Sequence, residues 1–357
     1  MSKSDIEKYV YDIPTMINII GSGNYSIVVS PVIPIKCSNL EVYIDYTDKD
    51  DTDVSKLIKN SNNNDENIYD NEMSILLHII NIESYTSFTP MIKGASSFRY
   101  EHIMNEQLNL DLGYENPDDK IYQIIFANGG IPLNKLENMI PFDKFIRMFK
   151  KMMEGIRTLQ RNNIIHRDIK PSNILISKDS QFNIIDFGLS CHVSELYNKN
   201  DNFMLSYMYM YHPPEFYIIY LLYEEQDKNP NFKENLAKVF NQIIPSKLEY
   251  FYDEHYFKYN LNEPYNIYSY TQSFLHFYKD IKKRGINDIS EIITEEFSFK
   301  ADIFGISFIL KTLKKFILFE TIYNKQKYHK LFHMTYVLNP YERASIDDII
   351  AYIDSIM

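Results

Sequence analysis

Tryptophan is missing from this chain altogether, and glycine is scarce, at 10 of 357 residues. Cysteine occurs only as Cys37 and Cys191, too few for a disulfide framework or a thiolate metal cluster, and in keeping with a reducing compartment. Long apolar runs are absent too. The N-terminus, MSKSDIEKYV, lacks the apolar core of a secretory leader, and the longest aromatic-aliphatic run, Phe216 to Tyr223, is too short to span a bilayer. Positive charge is in deficit: 37 Lys and Arg stand against 48 Asp and Glu, a formal net charge of −11. That balance argues against non-specific nucleic-acid binding and favours basic or neutral partners. These absences predict a soluble, intracellular and cytoplasmic protein, with neither membrane nor nucleic acid among its partners. No heptad pattern or interface stripe fixes an oligomeric state.

What is plentiful is apolar and aromatic. Hydrophobic residues make up 45% of the chain, enough to bury a sizeable core in one large or two smaller lobes. The abundance of Asn, Ile, Lys and Tyr suggests an AT-rich genome.

The chain is organised around Ile164 to Leu189, which reads IIHRDIKPSNILISKDSQFNIIDFGL. Phosphoryl transfer from a nucleotide needs a group that orients an attacking hydroxyl and accepts its proton. It also needs hard oxygen ligands for Mg²⁺ on the phosphates. Asp168 suits the first task, while Asn173 and Asp186 suit the second. Lys170, two residues past Asp168, is placed to neutralise the moving phosphoryl group. The bland alternative is an ordinary loop between apolar strands at Ile174–Ile176 and Asn183–Ile185, which would not need these groups in this order.

His166-Arg167-Asp168, then Asn173, then Asp186-Phe187-Gly188, resembles the catalytic loop and metal-binding turn of the protein kinases. A Lys at position 170 marks the Ser/Thr branch of that family. The resemblance implies a bilobal α+β fold, with a small β-rich N-lobe over residues 1–127 and a larger, mainly helical C-lobe over 128–357. It also implies ATP with Mg²⁺ (or Mn²⁺) as cofactor and a protein hydroxyl as acceptor.

In the N-terminal part, an apolar strand at Met16–Ile20 runs into Gly21-Ser22-Gly23-Asn24-Tyr25-Ser26-Ile27-Val28. This is similar to the kinase glycine-rich loop, with Ser26 where the third glycine would stand. Glycines let backbone amides approach phosphates closely, and Tyr25 would shield them from the tip. The family's ATP-gripping lysine lies on the third strand. Two candidates exist. Lys36 follows Pro34 so soon after Val28 that two strands and a turn do not fit; Lys56 lies in the apolar pattern of Val54–Ile58, after an acidic insertion from Asp45 to Asp53. Lys56 is the better match. Sixteen residues later Glu72 opens a helical stretch to Ile80, and a Lys56–Glu72 ion pair is expected, with Asn60 to Asn67 as a polar loop between them. Ile121–Phe126 reads as a buried strand leading to an inter-lobe hinge at Ala127–Gly130, with Ile124 or Ile125 guarding the back of the nucleotide pocket and Asn134 as the ribose candidate.

In the C-terminal part, Phe142, Phe145, Phe149, Met152, Ile156 and Leu159 recur at three- and four-residue steps, an amphipathic helix that packs core. Pro213-Pro214-Glu215 resembles the close of the family's activation segment, and Asn339 to Ser345 its late P-x-x-R element. The resemblance then implies a structural ion pair between Glu215 and Arg343, a bracing role for Asp302 behind the catalytic loop, and structural roles for His166 and Arg167. Arg167 could also receive a phosphate on Ser194 or Ser206. Glu215 and Asp302 lie 87 residues apart, much further than is usual in the family. The excess, about 216–299, carries helical patterns at Phe232–Ile244 and Thr271–Lys283; it reads as a packed embellishment or as a docking surface. That expansion, together with SPVIPIKC and VSKL near the start, resembles the divergent kinases of giant DNA viruses of the mimivirus group. Two rival functions are a pseudokinase scaffold without useful turnover and a small-molecule kinase.

Overall fold

Alternating β-branched and aromatic residues build a sheet in the first part of the chain, and longer 3.6-periodic stretches build helices in the rest. The computed structural model describes residues 18–22, 26–32, 41–44, 52–59, 66–99, 120–195, 211, 213, 215–216, 228, 238, 276, 279–280, 283, 295–337 and 339–357. These fall into two compact units, one of residues 1–130 with 176–188 and one of 131–175 with 189–357. The fold is α+β, the first unit rich in strands and the second mainly helical.

The first unit holds a six-stranded sheet of β1 (Asn18–Ser22), β2 (Ser26–Ser30), β3 (Glu41–Ile44), β4 (Val54–Lys59), β5 (Ile92–Arg99) and β6 (Lys120–Phe126). Its spatial order is β1-β2-β4-β6-β5-β3, and every neighbouring pair is antiparallel. The strand carrying Lys56 is therefore fourth in sequence but third across the sheet, because β3 crosses to the far edge and pairs with β5. Nothing in the sequence pattern had singled out β3. In this register Lys56 stands opposite Val28 on one side and Ile124 on the other. Ile124 and Ile125 are both buried.

Three boundaries differ from the sequence reading. β1 runs on through Gly21 and Ser22, so the first glycine sits within a strand. The helix α1 (Glu66–Ile80) opens six residues before Glu72 and takes in the end of the stretch read as loop. Finally, residues 176–188 group with the first unit: the Ile184 backbone amide donates to Phe88 O at 2.7 Å, and the Asn183 side chain donates Nδ2 to Gly129 O at 2.8 Å. α1 buries Tyr69, Met73, Leu76 and Ile79 along one stripe, and Tyr69 stacks on Tyr122 of β6 at 3.7 Å.

The second unit is built on α2 (Phe142–Arg161), whose buried residues include all six of the stripe expected from sequence. Among the described residues, helices with defined bounds continue with α3 (Glu295–Leu313), α4 (Ile322–Thr335) and α5 (Ile346–Ile356). Ser345 and Asp348 form a capping box at the start of α5, and Thr321 caps α4. Tyr328 of α4 is buried and donates its hydroxyl to Leu310 O of α3. Most of the expanded segment, including the helices expected at Phe232–Ile244 and Thr271–Lys283, lies outside the described residues. Asp280 is described, and it accepts a hydrogen bond from the Asn339 side chain at 3.1 Å. Among the described residues no helix is long and apolar enough to cross a membrane.

α3 approaches the chain at Ile169 so closely that a β-carbon on Gly305 would lie 2.5 Å from Ile169 O and 2.8 Å from Ile169 Cβ. Backbone cannot yield there as a flexible side-chain tip can. Gly305→Ala should therefore cost about 1–3 kcal/mol through overpacking, read as a lower midpoint in chemical denaturation; an unchanged midpoint would show that α3 can slide away.

Candidate active site

Two sets of polar side chains, one in each unit, contain the residues singled out by sequence. In the first unit Lys56 is buried, and its ammonium lies 2.7 and 2.8 Å from the two oxygens of Glu72 and 2.7 Å from Asp186 Oδ1. The sheet register points Lys56 to the face on which α1 packs, and α1 brings up Glu72 in mid-helix. Burial alone would lower the Lys56 pKa, but the carboxylates of Asp186 and Glu72 outweigh it and raise it above the usual lysine value. Burial raises the Glu72 carboxyl above its usual range, and Lys56 opposes that shift only in part. Asp186 is the most open of the three, its side chain 39% exposed against 10% for Lys56 and 1% for Glu72.

Asp186 also has a left-handed backbone, φ 68°. Asp tolerates that region better than most residues, yet the conformation costs energy and persists only where neighbours fix it. The following Phe187 is buried, its amide is hydrogen-bonded to Glu72, and Gly188 O accepts from the Asn71 side chain at 3.2 Å. Asn71 was not foreseen; a lone Asn beside an expected Glu gives no sequence signal. In the glycine-rich stretch, Gly21, Ser22, Ser26 and Val28 belong to β1 and β2, whereas Gly23, Asn24 and Tyr25, like Lys36, lie outside the described residues. At the expected hinge the Ala127 amide donates to Met91 O at 2.9 Å and the Gly130 amide to Asn128 Oδ1 at 3.0 Å.

In the second unit the loop from His166 to Asn173 hangs on a buried carboxylate. Asp302 of α3 accepts from the His166 and Arg167 amides, each at 2.9 Å, and so fixes a turn in which Arg167 has φ 64°. Burial raises the Asp302 pKa; His166 and the two amides oppose it. The Asp168 amide donates to His166 Nδ1 at 3.2 Å. Asp168 is itself buried, and its Oδ2 accepts from Lys170 Nζ at 2.8 Å and from Asn173 Nδ2 at 2.7 Å. Asn173 closes a short turn, Pro171–Asn173, and its amide nitrogen also reaches Asp168 O at 3.0 Å. The carboxylate is thus oriented by two donors from its own loop. Arg167 donates to Leu189 O at 2.6 Å and to Cys191 Sγ at 3.4 Å, partners not expected from sequence.

Glu215 and Arg343 pair with both side chains fully buried: Nη1 to Oε1 is 2.5 Å and Nη2 to Oε2 is 3.1 Å. The guanidinium also donates to Lys300 O at 2.7 Å and Val337 O at 2.8 Å, and it lies 5.1 Å from the Phe304 ring centre. Sequence pointed to the pair; the two carbonyls and the ring were not legible, since backbone acceptors leave no mark in residue type. Pro214 and Ser206 lie outside the described residues.

Comparison with known proteins gives the family. Residues 16–228 match the protein kinase domain family, and the chain belongs to that family. It is 39% identical over 95 residues to the mitogen-activated protein kinase HOG1 of Candida albicans, covering 25% of this chain and 24% of that one. It is 27% identical over 157 residues to the mitogen-activated protein kinase spm1 of Schizosaccharomyces pombe, covering 43% and 33%. A third relative, the serine/threonine-protein kinase chk1 of Schizosaccharomyces pombe, is 32% identical over 101 residues, covering 27% and 20%. The chain thus spans a fifth to a third of the length of these relatives.

Removing one partner of a buried ion pair strands the other charge. Arg343→Met should cost about 3–5 kcal/mol, and adding Glu215→Leu should recover much of the loss, because no unpaired charge remains. Urea midpoints of the two single variants and the double variant decide this; simple additivity would rule out the coupling.

Proposed function

We propose that this chain is an ATP-dependent serine/threonine protein kinase that transfers the γ-phosphoryl group of MgATP to hydroxyls of protein substrates. The observation that carries the reading is the Lys56 ammonium held between Glu72 and Asp186, a cation fixed beside a half-exposed carboxylate. The donor set fits the cofactor: carboxylate and amide oxygens are the ligands Mg²⁺ prefers, and Mg²⁺ takes only one or two of them from protein when phosphates supply the rest. When bound, MgATP supplies the phosphoryl group and a divalent charge that neutralises its oxygens.

Each residue then has a distinct task. Asp186 and Asn173 offer oxygens to the cation. Lys56, kept in place by Glu72, binds phosphate oxygens. Gly21 to Val28 lies over the phosphates, with Gly21, Ser22, Gly23, Asn24, Tyr25 and Ser26 lending backbone. Asp168, oriented by Lys170 and Asn173, accepts the hydroxyl's hydrogen bond and takes its proton, while Lys170 bears on the charge of the group in transit. Orientation and charge stabilisation carry more of the rate than proton transfer does. His166, Arg167, Asp302, Glu215 and Arg343 keep backbone in place and touch no reacting atom. A giant-virus origin is supported only by the SPVIPIKC and VSKL stretches and the long segment after Glu215; the relatives named above are yeasts.

The test is transfer from radiolabelled MgATP to basic and casein-like proteins. Asp168→Asn, Asp186→Asn and Lys56→Met should each lower the rate by about 10²-fold or more, while Lys36→Met leaves it near wild type. Loss with Lys36→Met but not with Lys56→Met would overturn the assignment of the lysine. ATP binding by the wild type with no transfer would replace the kinase reading by that of a nucleotide-binding scaffold, and transfer to metabolites alone by that of a small-molecule kinase.

A further inference from the structure

Three consecutive residues, Asp186, Phe187 and Gly188, are each held by a different side chain of the first unit. Lys56 takes the Asp186 carboxylate at 2.7 Å, Glu72 takes the Phe187 amide, and Asn71 donates its side-chain amide to Gly188 O at 3.2 Å. The first two ties use charged groups already assigned to nucleotide and metal chemistry. The third does not, and a structural explanation is needed for it. Asn71 is only partly buried, so core packing does not require it. What it does is close the third side of a turn whose first residue sits at φ 68°, a setting that returns to ordinary backbone unless neighbours oppose it.

Asn71 and Glu72 are adjacent on α1 and therefore point about 100° apart around the helix axis. Both can reach the turn only if the turn wraps against that one part of α1. A shift or rotation of the helix would break both ties together, so the setting of the turn and the position of α1 form one cooperative unit rather than two independent ones. The side chain is matched to the task. It must donate to a carbonyl oxygen: Asp is isosteric but has no donor, and Ala does not reach.

We propose that Asn71 is a positioning residue, which fixes the Asp186-Phe187-Gly188 turn against α1 so that the Asp186 carboxylate is presented to Mg²⁺. The consequence for the metal rests on the kinase reading above; the tie itself does not. Hydrogen–deuterium exchange of the full chain, followed in peptides covering Phe182 to Ser190, tests the tie without any need for activity. Wild type is compared with Asn71→Ala, Asn71→Asp and a control on an exposed position of the same helix, His78→Ala. Exchange at Phe187 and its neighbours should quicken about fivefold in both Asn71 variants, the size of one lost hydrogen bond, and should not change in His78→Ala. In the transfer assay, the Mg²⁺ concentration giving half-maximal rate should rise by a similar factor in both Asn71 variants, while the KM for protein substrate stays level.

Equal exchange in wild type and both Asn71 variants overturns the tie. Faster exchange with an unchanged Mg²⁺ dependence, in an active enzyme, overturns the positioning role and leaves a purely structural contact. If the wild type transfers no phosphate, the kinase reading fails, and the exchange data still decide whether Asn71 holds the turn.

Discussion

A buried ammonium between two carboxylates is the constraint on which the first unit depends. Lys56 lies in the middle strands of the sheet, Glu72 in the middle of α1, and Asp186 in a turn more than a hundred residues further on. An unpaired charge at that depth would be unaffordable, so strand, helix and turn are held to the one arrangement that keeps it paired. With the Lys56 pKa raised, the ammonium's contribution is complete below the ordinary lysine value and is lost only as pH climbs through the raised one. At neutral pH the cation is therefore permanent. Asp186 keeps part of its surface open, and a group that arrives with its own positive charge can share it.

The second unit applies the same physics to backbone. Asp302 gives both carboxylate oxygens to the consecutive amides of His166 and Arg167, and Arg343 commits its guanidinium to Glu215 and two main-chain carbonyls. Each is a buried charge whose partners come from distant stretches of chain, so each converts a loop that sequence alone leaves flexible into one conformation. Arg167 and Asp186, both with positive φ and neither a glycine, show where such clamps act. The loop turns are strained, and the charges behind them outweigh the strain.

Much of this was legible in advance where residue type and spacing are the whole message. Asp168, Lys170 and Asn173 meet within one short loop, and a five-residue reach along the chain leaves little choice of partner. The stripe of α2 follows in the same way from helical periodicity. Spacing was a poorer guide where the chain leaves one element for another. The Asn-rich stretch before α1 read as loop to Asn67, but the helix starts at Glu66, because packing of its apolar stripe against the sheet outweighs weak local propensity. β3 was invisible, since its pairing with β5 is decided across some fifty residues of chain.

By itself, then, the sequence determined the chemistry: which acids, amides and cations are present, and which of them lie close enough along the chain to act on one another. It also determined the family, because short-range motifs survive intact in the order of the residues. Only the tertiary structure decided which lysine lies beside Glu72 and Asp186, that Asn71 holds the carbonyl of Gly188, and that Arg343 finishes its bonds on the carbonyls of Lys300 and Val337. Those choices depend on sheet register and on backbone acceptors that every residue carries alike, and neither has a residue type by which to be recognised.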